Sequence, residues 1–81
     1  MQPGPVALSE LAQIAQEAHD ATGLSKSAAA ERLGVSRGAY GNALNGLPSM
    51  DALRMRIIEA FSPYRVEGPK YELVKKGEAE G

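Results

Sequence analysis

Apolar residues return at helical intervals through most of this chain and at alternate positions near its end, and the change of period divides it. Leu8, Leu11, Ala12, Ala15 and Ala18 recur every three or four residues ahead of Gly23, which predicts a helix over residues 8–22. Ser25 precedes the alanine-rich run 26–33, placed so that its side-chain oxygen accepts from the free N–H groups of a first turn. Gly34 follows that run where a helix ends in a left-handed residue. Ser36 then caps a second short helix over 37–45, stopped by Asn45-Gly46. Beyond Gly46-Leu47-Pro48, Ser49 is expected to cap a helix that begins at Met50 or Asp51 and runs to Phe61. Leu53, Ile57, Ile58 and Phe61 form its core face, Met50 and Met55 fill gaps, and Arg54 and Arg56 face solvent.

From Pro63 the period falls to two. YRVEGPKYELV predicts a β-hairpin turning at Gly68-Pro69, with Glu67 opposite Lys70, Val66 opposite Tyr71, Arg65 opposite Glu72 and Tyr64 opposite Leu73. One face of it is apolar and the other carries two opposite-charge pairs. A hairpin alone is marginal, so the apolar face must lie on the helices or on another chain. The expected organisation is a flexible lead over 1–7, a helical domain over 8–61, the hairpin over 62–76 and a disordered acidic tail over 77–81.

Composition narrows this picture. The 81 residues make one domain with a modest core. With no cysteine there are no disulfides and no thiolate metal sites, and with no long apolar run or signal peptide the expectation is a cytoplasmic protein away from membranes. His19, the only histidine, has Glu17 and Asp20 nearby and is read as a solvated residue, with no companion at metal-binding spacing. No nucleophile-base pair, metalloprotease motif or phosphate loop is present, so the chain reads as non-enzymatic, without cofactor or metal. The formal net charge of −1 is unusual for a nucleic-acid binder, yet it is segregated. Lys26, Arg32 and Arg37 outnumber Glu31 in the middle of the chain, whereas Glu10, Glu17 and Asp20 leave the first helix acidic.

The candidate chemistry lies in LSKSAAAERLGVSRGAYGNALNG, residues 24–46, where two short helices meet through a tight turn at Gly34. Tyr40, Ala43 and Leu44 fall on the inner side of the second helix, against Ala29 and Ala30 of the first, with Val35 at the corner. Arg37, Gly38, Gly41, Asn42 and Asn45 lie on the outer side. Here the chain resembles the phage Cro and repressor type helix-turn-helix domains, the Xre family, in the punctuation at Ala30, Gly34 and Asn45-Gly46. The resemblance spans roughly residues 8–61. It implies a mostly α, four-helix helix-turn-helix domain of lambda-repressor-like fold, to which the C-terminal β-hairpin is added.

What the resemblance implies for function is a sequence-specific, double-stranded-DNA-binding transcriptional regulator of repressor type. Its base-reading positions fall on Arg37, Gly38 and Asn42, and its phosphate-contacting positions on Lys26 and Asn45. Ser27, Ser36 and the backbone at Gly41 are added as further backbone contacts. Arginine pairs with guanine O6 and N7, and asparagine with adenine N6 and N7, each worth roughly 1–3 kcal/mol of discrimination. The hairpin has three candidate roles: cover over the last helix, dimerisation through an exposed strand edge, or a wing touching phosphates through Lys70, Lys75 and Lys76. Dimerisation through Tyr64, Val66, Tyr71 and Leu73 is favoured, giving a homodimer on a palindromic operator. The rival reading is a protein-interaction adaptor on the same scaffold, or an antitoxin that binds DNA through the motif and a toxin through the tail.

Overall fold

The computed structural model describes residues 4–67 and 71–76, apart from the side chain of Leu8. The expected turn at Gly68-Pro69, the Glu67–Lys70 pair, the Lys70 wing contact and the tail 77–81 lie outside the described residues. The chain is mostly helical, in the order β1 (Gly4–Pro5), α1 (Leu8–Thr22), α2 (Lys26–Leu33), α3 (Arg37–Leu44), α4 (Asp51–Phe61), β2 (Tyr64–Glu67) and β3 (Glu72–Lys75).

Local chemistry sets the ends of the first three helices. The Glu10 carboxylate accepts from the Ala7 N–H at 3.0 Å to open α1, and Gly23 closes it at φ 71°. Ser25 Oγ accepts from the Ala28 N–H and Ser36 Oγ from the Ala39 N–H, both at 3.1 Å. Between these caps Gly34 turns the chain at φ 70°.

The start of α4 departs from expectation. Ser49 does not cap it, being held at φ 67°, and Met50 occupies the cap position without a side-chain hydrogen bond. The arginine expected in solvent is instead buried at this junction, where it donates to carbonyls and a carboxylate rather than capping free N–H groups. Arg54 is 4% exposed; its Nε donates to Ala43 O at 2.8 Å, one terminal nitrogen to Asp51 Oδ1 at 2.6 Å and the other to Leu47 O. It gathers the end of α3, the connecting loop and the first turn of α4 around one guanidinium. Arg56 is exposed as expected, and donates to Leu33 O at 2.8 Å.

Leu11 and Ala15 of α1, Ala29 and Ala30 of α2, Tyr40, Ala43 and Leu44 of α3, and Ile57 and Ile58 of α4 form the core. Leu73 completes it from the sheet, 1% exposed. The sheet is antiparallel with strand order β1-β3-β2, so Leu73 sits on the middle strand between Gly4 and Val66.

Two expectations are corrected here. Residues 4–7 are not a free lead, because Gly4 and Pro5 pair with Leu73 and Glu72, and the Val6 N–H donates to Tyr71 O at 2.9 Å. The hairpin register is also displaced by two residues. Tyr64 faces Lys75, Arg65 faces Val74, Val66 faces Leu73 and Glu67 faces Glu72, while Tyr71 lies outside the ladder at φ 38°. A shift of two keeps every side chain on its expected face but dissolves the expected Arg65–Glu72 pair. Arg65 turns to Glu67 on its own strand at 2.7 Å. Burying a leucine is worth about 1.5–3 kcal/mol and a surface ion pair about 0–1 kcal/mol, so the register that centres Leu73 on the core prevails.

The apolar face expected to join a second copy is thereby engaged within the chain. Leu73 is in the core, and Tyr64, Val66 and Tyr71 pack against it.

Candidate nucleic-acid interface

Two buried contacts aim α3. At its inner face Tyr40 is fully buried and its hydroxyl shares a 2.6 Å hydrogen bond with His19 Nδ1 on α1. The two rings meet edge to face, their centroids 5.3 Å apart. Burial, with a smaller contribution from the Asp20 carboxylate, pushes the Tyr40 phenol up to about 12, so it stays protonated as a hydrogen-bonding group. At the other end the Arg54 guanidinium holds Ala43 O.

His19 is therefore not the solvated residue expected from its charged neighbours, being 6% exposed. The missed signal was periodic: His19 stands four residues after Ala15 and eight after Leu11, on the buried stripe of α1. Arg54 was missed for a related reason. Its spacing of three from Asp51 was visible, but the backbone carbonyls it serves become neighbours only in the folded chain. Among the described residues no group of three or more His, Cys, Asp and Glu could hold a metal.

With the inner side anchored, the outer side of α3 carries Arg37, Gly38, Asn42 and Asn45, all exposed, and the half-buried Gly41. These five and Lys26, the first residue of α2, line one open depression of about 510 Å³. Among the described residues no acidic side chain lines it. Two cations and two amides thus surround a floor of glycine backbone, beside the first turns of two helices, where partial positive charge accumulates. Ser27 and Ser36 are exposed but lie outside this lining, and Ser36 Oγ accepts the Ala39 N–H as a cap while its O–H stays free to donate.

The floor has a specific geometry. A Cβ built at Gly38 or Gly41 meets nothing within 4 Å, and neither residue has a positive φ. Neither packing nor backbone conformation inside the chain requires glycine there, although each costs about 1 kcal/mol of helix stability relative to alanine. The hollow lets an incoming surface approach the α3 backbone.

No family model, curated protein or solved structure matches this chain.

Proposed function

We propose that this chain is a non-enzymatic regulator that binds double-stranded DNA, α2 and α3 acting as a helix-turn-helix with α3 in the major groove. The observation that supports it is the convergence of Lys26, Arg37, Asn42 and Asn45 on one acid-free depression whose glycine floor leaves room for a groove edge. In this reading Arg37 pairs with guanine and Asn42 with adenine. Gly38 admits the base edge closely, and Lys26, Ser27, Ser36, Asn45 and the backbone at Gly41 position the helix on phosphates.

Selection of bound sites from random duplexes, repeated with Arg37→Ala, tests the reading. The expected outcome is a short enriched motif containing guanine, with preference at that position relaxed by roughly 1–3 kcal/mol in the variant. Retention of random and selected duplexes alike, unaffected by Arg37→Ala, would sink it. Capture of a protein at this face with no affinity for any duplex would point instead to the adaptor reading.

A further inference from the structure

Only two asparagines occur in the chain, Asn42 and Asn45, and both line the depression. Their neighbours differ. Asn42 lies inside α3 and precedes Ala43, whose Cβ crowds the peptide nitrogen between them. Asn45 ends α3, at φ −82° and ψ 0°, and precedes Gly46, which has no Cβ. Asn45 is exposed, and its side chain makes no hydrogen bond among the described residues.

The Gly46 nitrogen is loosely held. Its N–H reaches Ala43 O at 3.3 Å, a carbonyl that Arg54 Nε also takes at 2.8 Å. Arg54 bonds Leu47 O as well, so a buried cation bridges carbonyls on either side of Gly46. Positive charge at this place favours the deprotonated amide, the form in which a peptide nitrogen attacks a carbonyl. At ψ 0° that nitrogen is turned away from Asn45 Cγ, and rotation about ψ must bring the two together. The rotation breaks the hydrogen bonds that close the helix end, Gly46 N–H to Ala43 O and Leu47 N–H to Asn42 O at 3.1 Å, and helix ends are where local opening is easiest.

We infer that Asn45 deamidates without an enzyme and that the product switches the depression off. The Gly46 nitrogen gives up its proton and bonds Asn45 Cγ; the Cγ–Nδ2 bond breaks, and ammonia leaves with that proton. The five-membered imide then takes up one water. Opening at Cγ gives aspartate, and opening at the main-chain carbon gives isoaspartate, with the chain running through Cγ. No electrons pass to or from any other group. Either product sets a carboxylate beside Lys26, Arg37 and the first turns of α2 and α3, where the described residues place none. That carboxylate repels phosphate, so the loss of duplex binding rests on the DNA reading above, whereas the loss of the amide does not. The conversion acts once per chain, and time and pH set it.

The test incubates the parent chain without DNA, with circular dichroism to show that it stays folded, and follows amide-to-acid exchange at both asparagines by peptide mass spectrometry. Exchange is expected at Asn45 and not at Asn42, with both acid isomers formed and a rate that rises in proportion to hydroxide above neutral pH. Asn45→Gln, whose longer side chain closes a ring far less readily, should keep its amide. Exchange confined to chain unfolded in denaturant, or equal at Asn42 and Asn45, overturns the inference. The switch is read separately, by retention of a selected duplex, where Asn45→Asp should bind about tenfold more weakly than Asn45→Gln through repulsion of phosphate. Equal retention of these two, with Arg37→Ala still impaired, overturns the switch and spares the DNA reading. Conversion at Asn45 in a chain that retains no duplex sinks the DNA reading and leaves the modification standing.

Discussion

Gly38 and Gly41 are the residues at which stability and the proposed function pull in opposite directions. Space beside both is open, so Gly38→Ala and Gly41→Ala should each stabilise the fold by up to about 1 kcal/mol, read as a rise in melting temperature. Each should also weaken retention of a selected duplex, because the new methyl group occupies the floor of the depression. Stabilisation without loss of binding would show that the hollow is not a contact surface. Tyr40 offers a second test, through pH. Its phenol titrates near 10 when unfolded and near 12 in place. Below pH 10 both states keep the proton and the group adds no slope. From pH 10 to about 12 the unfolded chain releases it first, so stability falls across that window. Denaturant titrations of the parent and Tyr40→Phe should therefore converge in slope below pH 10 and diverge above it.

At the scale of elements, the connection between α3 and α4 depends on a single side chain. Replacing Arg54 with methionine keeps volume but removes the donor to the Leu47 carbonyl and to Asp51 and leaves the Ala43 carbonyl with only its 3.3 Å hydrogen bond from the Gly46 N–H, a loss of about 1–3 kcal/mol measurable by chemical denaturation. Asp51→Ala leaves the buried guanidinium with its two carbonyl partners but without its carboxylate, and should cost about 1–3 kcal/mol. The helices themselves were legible because each carries a period and punctuation: α2 and α3 begin at serines, and Gly34 separates them. The outer face of α3 was legible for the same reason, since Tyr40, Ala43 and Leu44 fix which side is buried. The strands were less so. β1 is too short to show alternation, and a hairpin displaced by two residues keeps the same pattern of faces, so only the demand of the core for Leu73 decides between registers. His19 and Arg54 are polar residues at buried positions, and the partners that make burial tolerable come from α3 and the loop behind it, far away in sequence or visible only in the folded backbone.

Over the whole molecule, charge is distributed rather than scarce. A net charge of −1 coexists with an acid-free depression bearing Lys26 and Arg37, while Glu10, Glu17 and Asp20 belong to α1. Affinity for duplex DNA should accordingly depend weakly on salt, with only a few counterions released per chain. A slope implying ten or more in fluorescence anisotropy titrations would require contacts well beyond this face.

The anchoring of α3 from behind has an evolutionary corollary. His19 and Arg54 hold Tyr40 and the end of the helix from the interior, so among the described residues the side chains of Arg37, Asn42 and Asn45 make no hydrogen bond and the space beside Gly38 and Gly41 is open. Lineages, or libraries randomised at those five codons, are free to acquire new ligand preferences while the scaffold underneath stays as it is.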